Sequence, residues 1–150
     1  MKLNKDGIKI LHDFEGLKLE AYLCPAKVWT IGYGNTRYEN GQAVQRGDLI
    51  TKQRAEELFT NIVNRDFVPG VRKLVTANLN ENQFSALVSF TYNLGTGALG
   101  RSTLLRLVNA NPNNPVIRTE FMKWNRAGGR VLNGLTRRRI AEANLYFKPI

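Results

Sequence analysis

From His12 to Thr36 the chain reads HDFEGLKLEAYLCPAKVWTIGYGNT, the stretch where apolar residues leave helical spacing for alternation. Leu17, Leu19, Ala21 and Leu23 alternate with Lys18, Glu20 and Tyr22, the pattern of a half-buried strand. Val28 to Tyr33 reads as its partner after a turn at Cys24-Pro25-Ala26-Lys27. Residues 34–48, rich in Gly, Asn and Gln, read as a loop or a further short strand, so the spacing predicts a sheet of two or three strands.

Helical patterns lie on either side. Ile8, Ile10, Leu11 and Phe14 predict a first helix from Asn4, its N-cap, to Glu15, with Gly16 just past the end. Glu15 thus falls in the last turn, where the helix dipole disfavours a carboxylate. After Thr51 everything reads as helical. Ala55, Leu58, Phe59, Ile62 and Val63 mark one helix capped by Thr51, and Pro69-Gly70 interrupts it before Val71 to Val75. Asn80 and Gln83 form a capping box ahead of an amphipathic run that Gly95 closes. Further helices are predicted from Ser102 to Asn109, from Pro115 to about Trp124, and from Thr136 to Phe147.

With 150 residues the chain can bury its own core as one domain. Its 22 Lys and Arg against 12 Asp and Glu give a net charge of +10, which steers it toward polyanions: nucleic acid, anionic lipid or the acidic polymers of a cell envelope. One cysteine excludes an intramolecular disulfide, and one His with one Cys supplies too few ligands for a zinc site, so neither metal nor cofactor is expected. Asp6, Lys9, His12 and Asp13 punctuate the N-terminal residues, which resemble neither a signal peptide nor a membrane anchor. No segment offers the roughly 20 apolar residues of a membrane span.

Glycosidic hydrolysis needs an acid beside the leaving oxygen and a second group that attacks, activates water or stabilises positive charge. Glu15, at a helix end beside a sheet, is placed to hold its proton and serve as the acid. Cys24 or Thr30 would fill the second role. Taken singly, each has an ordinary structural reading: a solvated acid, a small buried thiol, a β-branched strand residue.

Together they carry a resemblance. Glu15, eight residues, Cys24, five residues and Thr30 match the catalytic signature of the phage-type lysozymes, the endolysins of glycoside hydrolase family 24, in a variant with Cys where Asp is usual. FEGLKLEAY and VWTIGYG are similar to that family's text. So are NENQFSALVSFTYNLGTGALGRSTLL, from Asn80 to Leu105, and WNRAGGRVLNGLTRRRIAE, from Trp124 to Glu142. The resemblance implies an α+β, mostly helical fold with a small N-terminal two- or three-stranded antiparallel sheet and a cleft beside a larger helical lobe. The small lobe would span about 16–58, and the helical lobe about 76–150 plus the first helix, with a connecting helix between them.

The same resemblance implies a muramidase acting on bacterial peptidoglycan at the bond between N-acetylmuramic acid and N-acetylglucosamine. Glu15 would be the general acid, Cys24 the base, nucleophile or stabiliser, and Thr30 the residue that places water. Arg138 would support Glu15, while Tyr92 and Asn93 would line the sugar site. Asn35 stands where the family usually has His, and Lys27 where Gly is common. His12 reads as an exposed helix residue. The expected protein is a monomer without nucleic-acid or stable membrane partners, held in the host cytoplasm until a holin-type lesion admits it to the wall. A lytic transglycosylase, which needs one acid and leaves 1,6-anhydro ends, is a second reading. A basic nucleic-acid-binding module is a third, although no helix-turn-helix or zinc motif supports it.

Overall fold

A computed structural model describes residues 1–150. The chain divides into two compact units: residues 11–66 form one, and residues 1–10 with 67–150 form the other.

In the smaller unit, β1 (Lys18–Leu23) and β2 (Trp29–Gly32) pair antiparallel, with Tyr22 opposite Thr30 and Leu23 opposite Trp29. The register shifts between Lys18 and Tyr22, so the ribbon bends. The alternation overstates this strand's burial: only Ala21 faces the core, while Leu19 and Leu23 are exposed. Only a small cluster exists for β1 to face, namely Ala21, Ile31, Val44 and Leu58, with Trp29, Tyr38, Ile50 and Ile62 packed around it. Residues 34–48 make turns and isolated bridges rather than a third strand, with Arg37 opposite Ala43. The next residues close onto β1: Ala21 N–H donates to the Asp48 carbonyl, and Ile50 N–H to that of Leu19.

Helix α2 (Lys52–Asp66) starts where the sequence placed its cap, with Thr51 Oγ1 accepting from Arg54 N–H at 3.0 Å. Its Arg54 grips Glu39 through two nitrogens at 2.6 and 2.8 Å, and Asn61 donates to the same carboxylate at 2.9 Å. These donors hold the Glu39 carboxyl at about 2.

In the larger unit, Asn4 caps α1 (Lys5–Glu15), accepting from Gly7 N–H, and also ties its amide to Asn82 at 2.8 Å. Gly7 has to lack a side chain, because a Cβ there would stand 2.6 Å from that of Ser85. Helices α3 (Val68–Leu74) and α4 (Glu81–Leu94) begin at Pro69 and at the Asn80–Gln83 capping box. Every residue of α4 from Asn82 to Thr91 is buried, so it is the axis around which α5 (Thr96–Gly100), α6 (Thr103–Ala110), α7 (Val116–Met122) and α8 (Asn133–Tyr146) are arranged. A second hairpin, β3 (Arg126–Ala127) with β4 (Arg130–Val131), corrects the expectation that everything after Thr51 is helical. Gly128 and Gly129 turn it with φ of 59° and 77°, a two-residue loop.

Because the Glu39 carboxyl is depressed in the fold, its contribution is present above the unfolded value near 4.5 and is lost as pH falls toward 2. Replacing Glu39 with Gln is expected to remove about 1–2 kcal/mol at neutral pH, discounted for partial exposure, with the gap to wild type closing across that window. Urea titrations at stepped pH check this, and a gap independent of pH would contradict it.

Candidate functional site

Glu15 is the last residue of α1, half-buried, and the helix stops there because Gly16 turns away at φ 73° after donating its N–H to the His12 carbonyl. One of its carboxylate oxygens lies 3.5 Å from the point where a Cβ on Gly34 would stand, an ordinary contact distance. Gly34 itself has φ 90°, so it is the backbone that favours glycine at the end of GYG. The α1 end and the β2 exit thus meet at the carboxylate.

The turn between β1 and β2 is built around Cys24. Lys27 N–H donates to the Cys24 carbonyl at 2.8 Å, and Cys24 N–H donates to the Val28 carbonyl at 3.1 Å. Lys27 is the one non-glycine residue with positive φ, at 61°. Lys27 therefore occupies a left-handed position that glycine would take without strain, at a cost of about 1 kcal/mol.

Folding the turn this way aims donors at the thiol. The Val28 N–H is the largest influence, and the N–H of Ala26 and the Thr30 hydroxyl add to it, so the Cys24 thiol is held below its ordinary range despite some desolvation. Thr30 is buried and donates its hydroxyl to the Val28 carbonyl at 3.0 Å. Cys24 and Thr30 are therefore one hydrogen-bonded group across the hairpin. Such a group can present a sulfur and a hydroxyl to a reacting sugar or water.

His12 is not exposed as its helix position predicts. Its ring stacks on Tyr33 at 3.8 Å and meets Phe59 edge-on at 5.2 Å, and burial lowers its pKa. Asn35 is buried. Its backbone exchanges two hydrogen bonds with Ile31, while its side-chain oxygen has no hydrogen-bond partner.

Arg138, Tyr92 and Asn93 belong to the helical unit. Arg138 is buried, donating to Glu142 at 3.2 Å and to the Ser89 carbonyl at 3.3 Å. Asn93 gives its amide oxygen to Arg139 at 2.8 Å, leaving the NH₂ as the group a ligand could take. Tyr92 is half-buried against Phe67, with ring centres 4.8 Å apart.

The sequence reading missed the cluster behind Arg138. Fully buried Glu142 accepts from Ser89 at 2.6 Å and lies 2.8 Å from the fully buried Arg139, so Arg138 and Arg139 turn inward while Arg137 stays exposed. Burial pushes the Glu142 carboxyl up, and the two guanidiniums oppose that push. The signal was available, since Arg138 and Arg139 precede Glu142 by four and three residues on one helical face.

The phage lysozyme family model matches residues 12–142. The chain is similar to an endolysin of Bacillus phage B103, 43% identical over 97% of this chain and 54% of that protein, so it spans about half the length of that relative. It is also similar to an endolysin of Acyrthosiphon pisum secondary endosymbiont phage 1, 36% identical over 97% of this chain and 98% of that one. Among solved structures, an endolysin from Escherichia coli O157:H7 phage FAHEc1 matches with a TM-score of 0.89 and 38% identity, covering 98% and 94% of the two chains.

Two outcomes test this local geometry. Gly34→Ala is expected to lose about 1–2 kcal/mol of stability to backbone strain, measured by urea titration; an unchanged midpoint would contradict it. Alkylation of Cys24 by iodoacetamide is expected to show a midpoint below the ~8.5 of a free thiol. Thr30→Val should move that midpoint upward without restoring the free value, because the Val28 N–H remains; a midpoint insensitive to Thr30 would remove the hydroxyl from the group.

Proposed function

Because the chain belongs to the phage lysozyme family, a family of glycoside hydrolases, we propose that it is an endolysin whose muramidase activity cleaves bacterial peptidoglycan. The bond is the β-1,4 link between N-acetylmuramic acid and N-acetylglucosamine. The observation that carries this reading is the family match over residues 12–142, and what supports it in the structure is Glu15 at the end of α1 beside Gly34, in the same unit as Cys24 and Thr30.

Glu15 donates its proton to the leaving glycosidic oxygen as the bond to the anomeric carbon lengthens. Cys24 stands where an ionised carboxylate is usual. Its thiolate form is stabilised by the Val28 and Ala26 N–H groups and by Thr30, so it can offer negative charge to the oxocarbenium-like centre, attack it, or take a proton from water. Thr30, whose single hydroxyl proton can go either to the Val28 carbonyl or to the sulfur, orients the attacking water.

By the family resemblance Arg138, which is paired with Glu142, has the role of supporting the catalytic acid, and Tyr92 with the free side of Asn93 offers an aromatic face and an amide to the sugar. No helix is long and apolar enough to cross a membrane. In this reading the protein waits in the host cytoplasm as a monomer, and a holin-type lesion gives it access to the wall, where its cations meet an anionic polymer.

Glu15→Gln is expected to abolish clearing of a peptidoglycan suspension while the fold, followed by circular dichroism, stays intact; retained clearing would refute the assignment. Cys24→Asp should stay active and Cys24→Ala should lose at least about a hundredfold in rate, the scale of a lost nucleophile or base. Equal activity in both would remove Cys24 from the chemistry.

A further inference from the structure

Tyr33 follows β2 between two left-handed glycines, Gly32 and Gly34, so the chain leaves the strand in a tight loop. Ile31 and Asn35 close that loop by exchanging backbone hydrogen bonds at 2.8 and 2.9 Å. Tyr33 is buried, and its ring is the part of the loop that packs on the helices. It lies flat on His12 of α1, with ring centres 3.8 Å apart and planes 5° apart. Phe59 of α2 meets both rings edge-on, 5.2 Å from His12 and 5.5 Å from Tyr33. One ring cluster thus joins three elements of the smaller unit.

His12 stands one turn before Glu15 on the same side of α1. Its carbonyl accepts the Gly16 N–H at 3.0 Å, the bond that closes the helix at Glu15. A helix end held only by its own backbone frays, whereas a proton donor has to be kept close to one geometry. The ring stack supplies that hold, because it fixes the last turn of α1 to the same loop whose Gly34 lies beside the Glu15 carboxylate. We propose that His12 is a positioning residue for Glu15, and that the His12–Tyr33 stack is the clamp that sets the acid beside Gly34. The assignment rests on the muramidase reading for what Glu15 does, but not for the clamp itself.

The stack accepts the ring in one protonation state. A cationic imidazole must carry an N–H at Nε2, and that nitrogen is buried with no hydrogen-bond partner; a neutral ring can keep its proton on Nδ1. The attraction of a cation for the Tyr33 face is smaller than the cost of the orphaned donor. Burial is the largest influence and holds the His12 ring below 6.5, opposed by Glu56 on α2 and by Asp13 and aided by Lys52 on α2. Glu56 also acts on Tyr33, and on α1 Lys9 and Glu15 flank the ring one turn away on either side. The clamp is therefore complete above 6.5 and opens as pH falls through the lowered midpoint.

His12 is the chain's only histidine, so its ring resonances report on the clamp in the whole protein without substrate. The wild-type ring signal is expected to titrate below 6.5, and Tyr33→Leu should shift it by removing the stacked ring. The Gly16 N–H should exchange with solvent at least about tenfold faster in His12→Leu and Tyr33→Leu, and at the wild-type rate in His12→Phe, which keeps a ring to stack. Clearing of peptidoglycan at neutral pH should follow the same order, at least about tenfold slower in His12→Leu and within about twofold of wild type in His12→Phe. Below 6.5 His12→Phe should keep rate that the wild type loses, a difference that a merely structural ring would not produce. Melting curves confirm that the Leu variants fold, and the His12→Phe comparison stands without them. A Gly16 N–H indifferent to His12→Leu, or a His12→Phe pH profile identical to the wild type's, would overturn the clamp. Failure of the wild type to clear peptidoglycan, with the exchange pattern as expected, would instead overturn the muramidase reading.

Discussion

The hydrogen bonds that close the hairpin at Cys24 decide what the rest of the smaller unit can do. Cys24 and Val28 pair through the backbone, and the left-handed Lys27 lets the chain return in time for Thr30 to stand opposite Tyr22. A thiol is a poor substitute for a carboxylate when it keeps its proton. Only an environment of donors changes that, and here the donors are largely main-chain N–H groups that the turn cannot avoid presenting. The chemistry proposed for Cys24 is in this sense a property of the turn, to which the Thr30 side chain adds.

The larger unit solves a different problem. Burying Glu142 with Arg138 and Arg139 costs solvation of three charges, and Ser89 and the Ser89 carbonyl absorb part of that cost by filling the remaining hydrogen-bonding positions. The gain lies in position rather than in raw stability. Asn93 and the Trp124 carbonyl are tied to Arg139, so one ion cluster fixes the ends of α4 and α7 as well as α8.

Much of this was legible in the sequence because it depends on local rules. Asn4, Thr51 and the Asn80–Gln83 pair cap helices in the structure as their spacing predicts, since capping involves only neighbouring backbone. The alternation from Leu17 to Leu23 and the run from Val28 to Tyr33 likewise predicted the β1–β2 hairpin. What escaped depends on distant packing. Alternation placed Leu19 and Leu23 inside, but no second layer covers them. His12 looked exposed on its helix because nothing in its vicinity announces that Tyr33 will stack on it. The β3–β4 hairpin is too short for any periodic signal, and the partnership of Arg139 with Glu142 was passed over because runs of arginine usually face water.

The reaction proposed here is hydrolysis at the muramyl bond by Glu15 and the Cys24–Thr30 group. Mass spectrometry of muropeptides released in ¹⁸O-water tests it most directly. The predicted result is a set of fragments with reducing N-acetylmuramic acid ends, each carrying one ¹⁸O. Fragments with 1,6-anhydro ends, or with N-acetylglucosamine at the new reducing end, would contradict it.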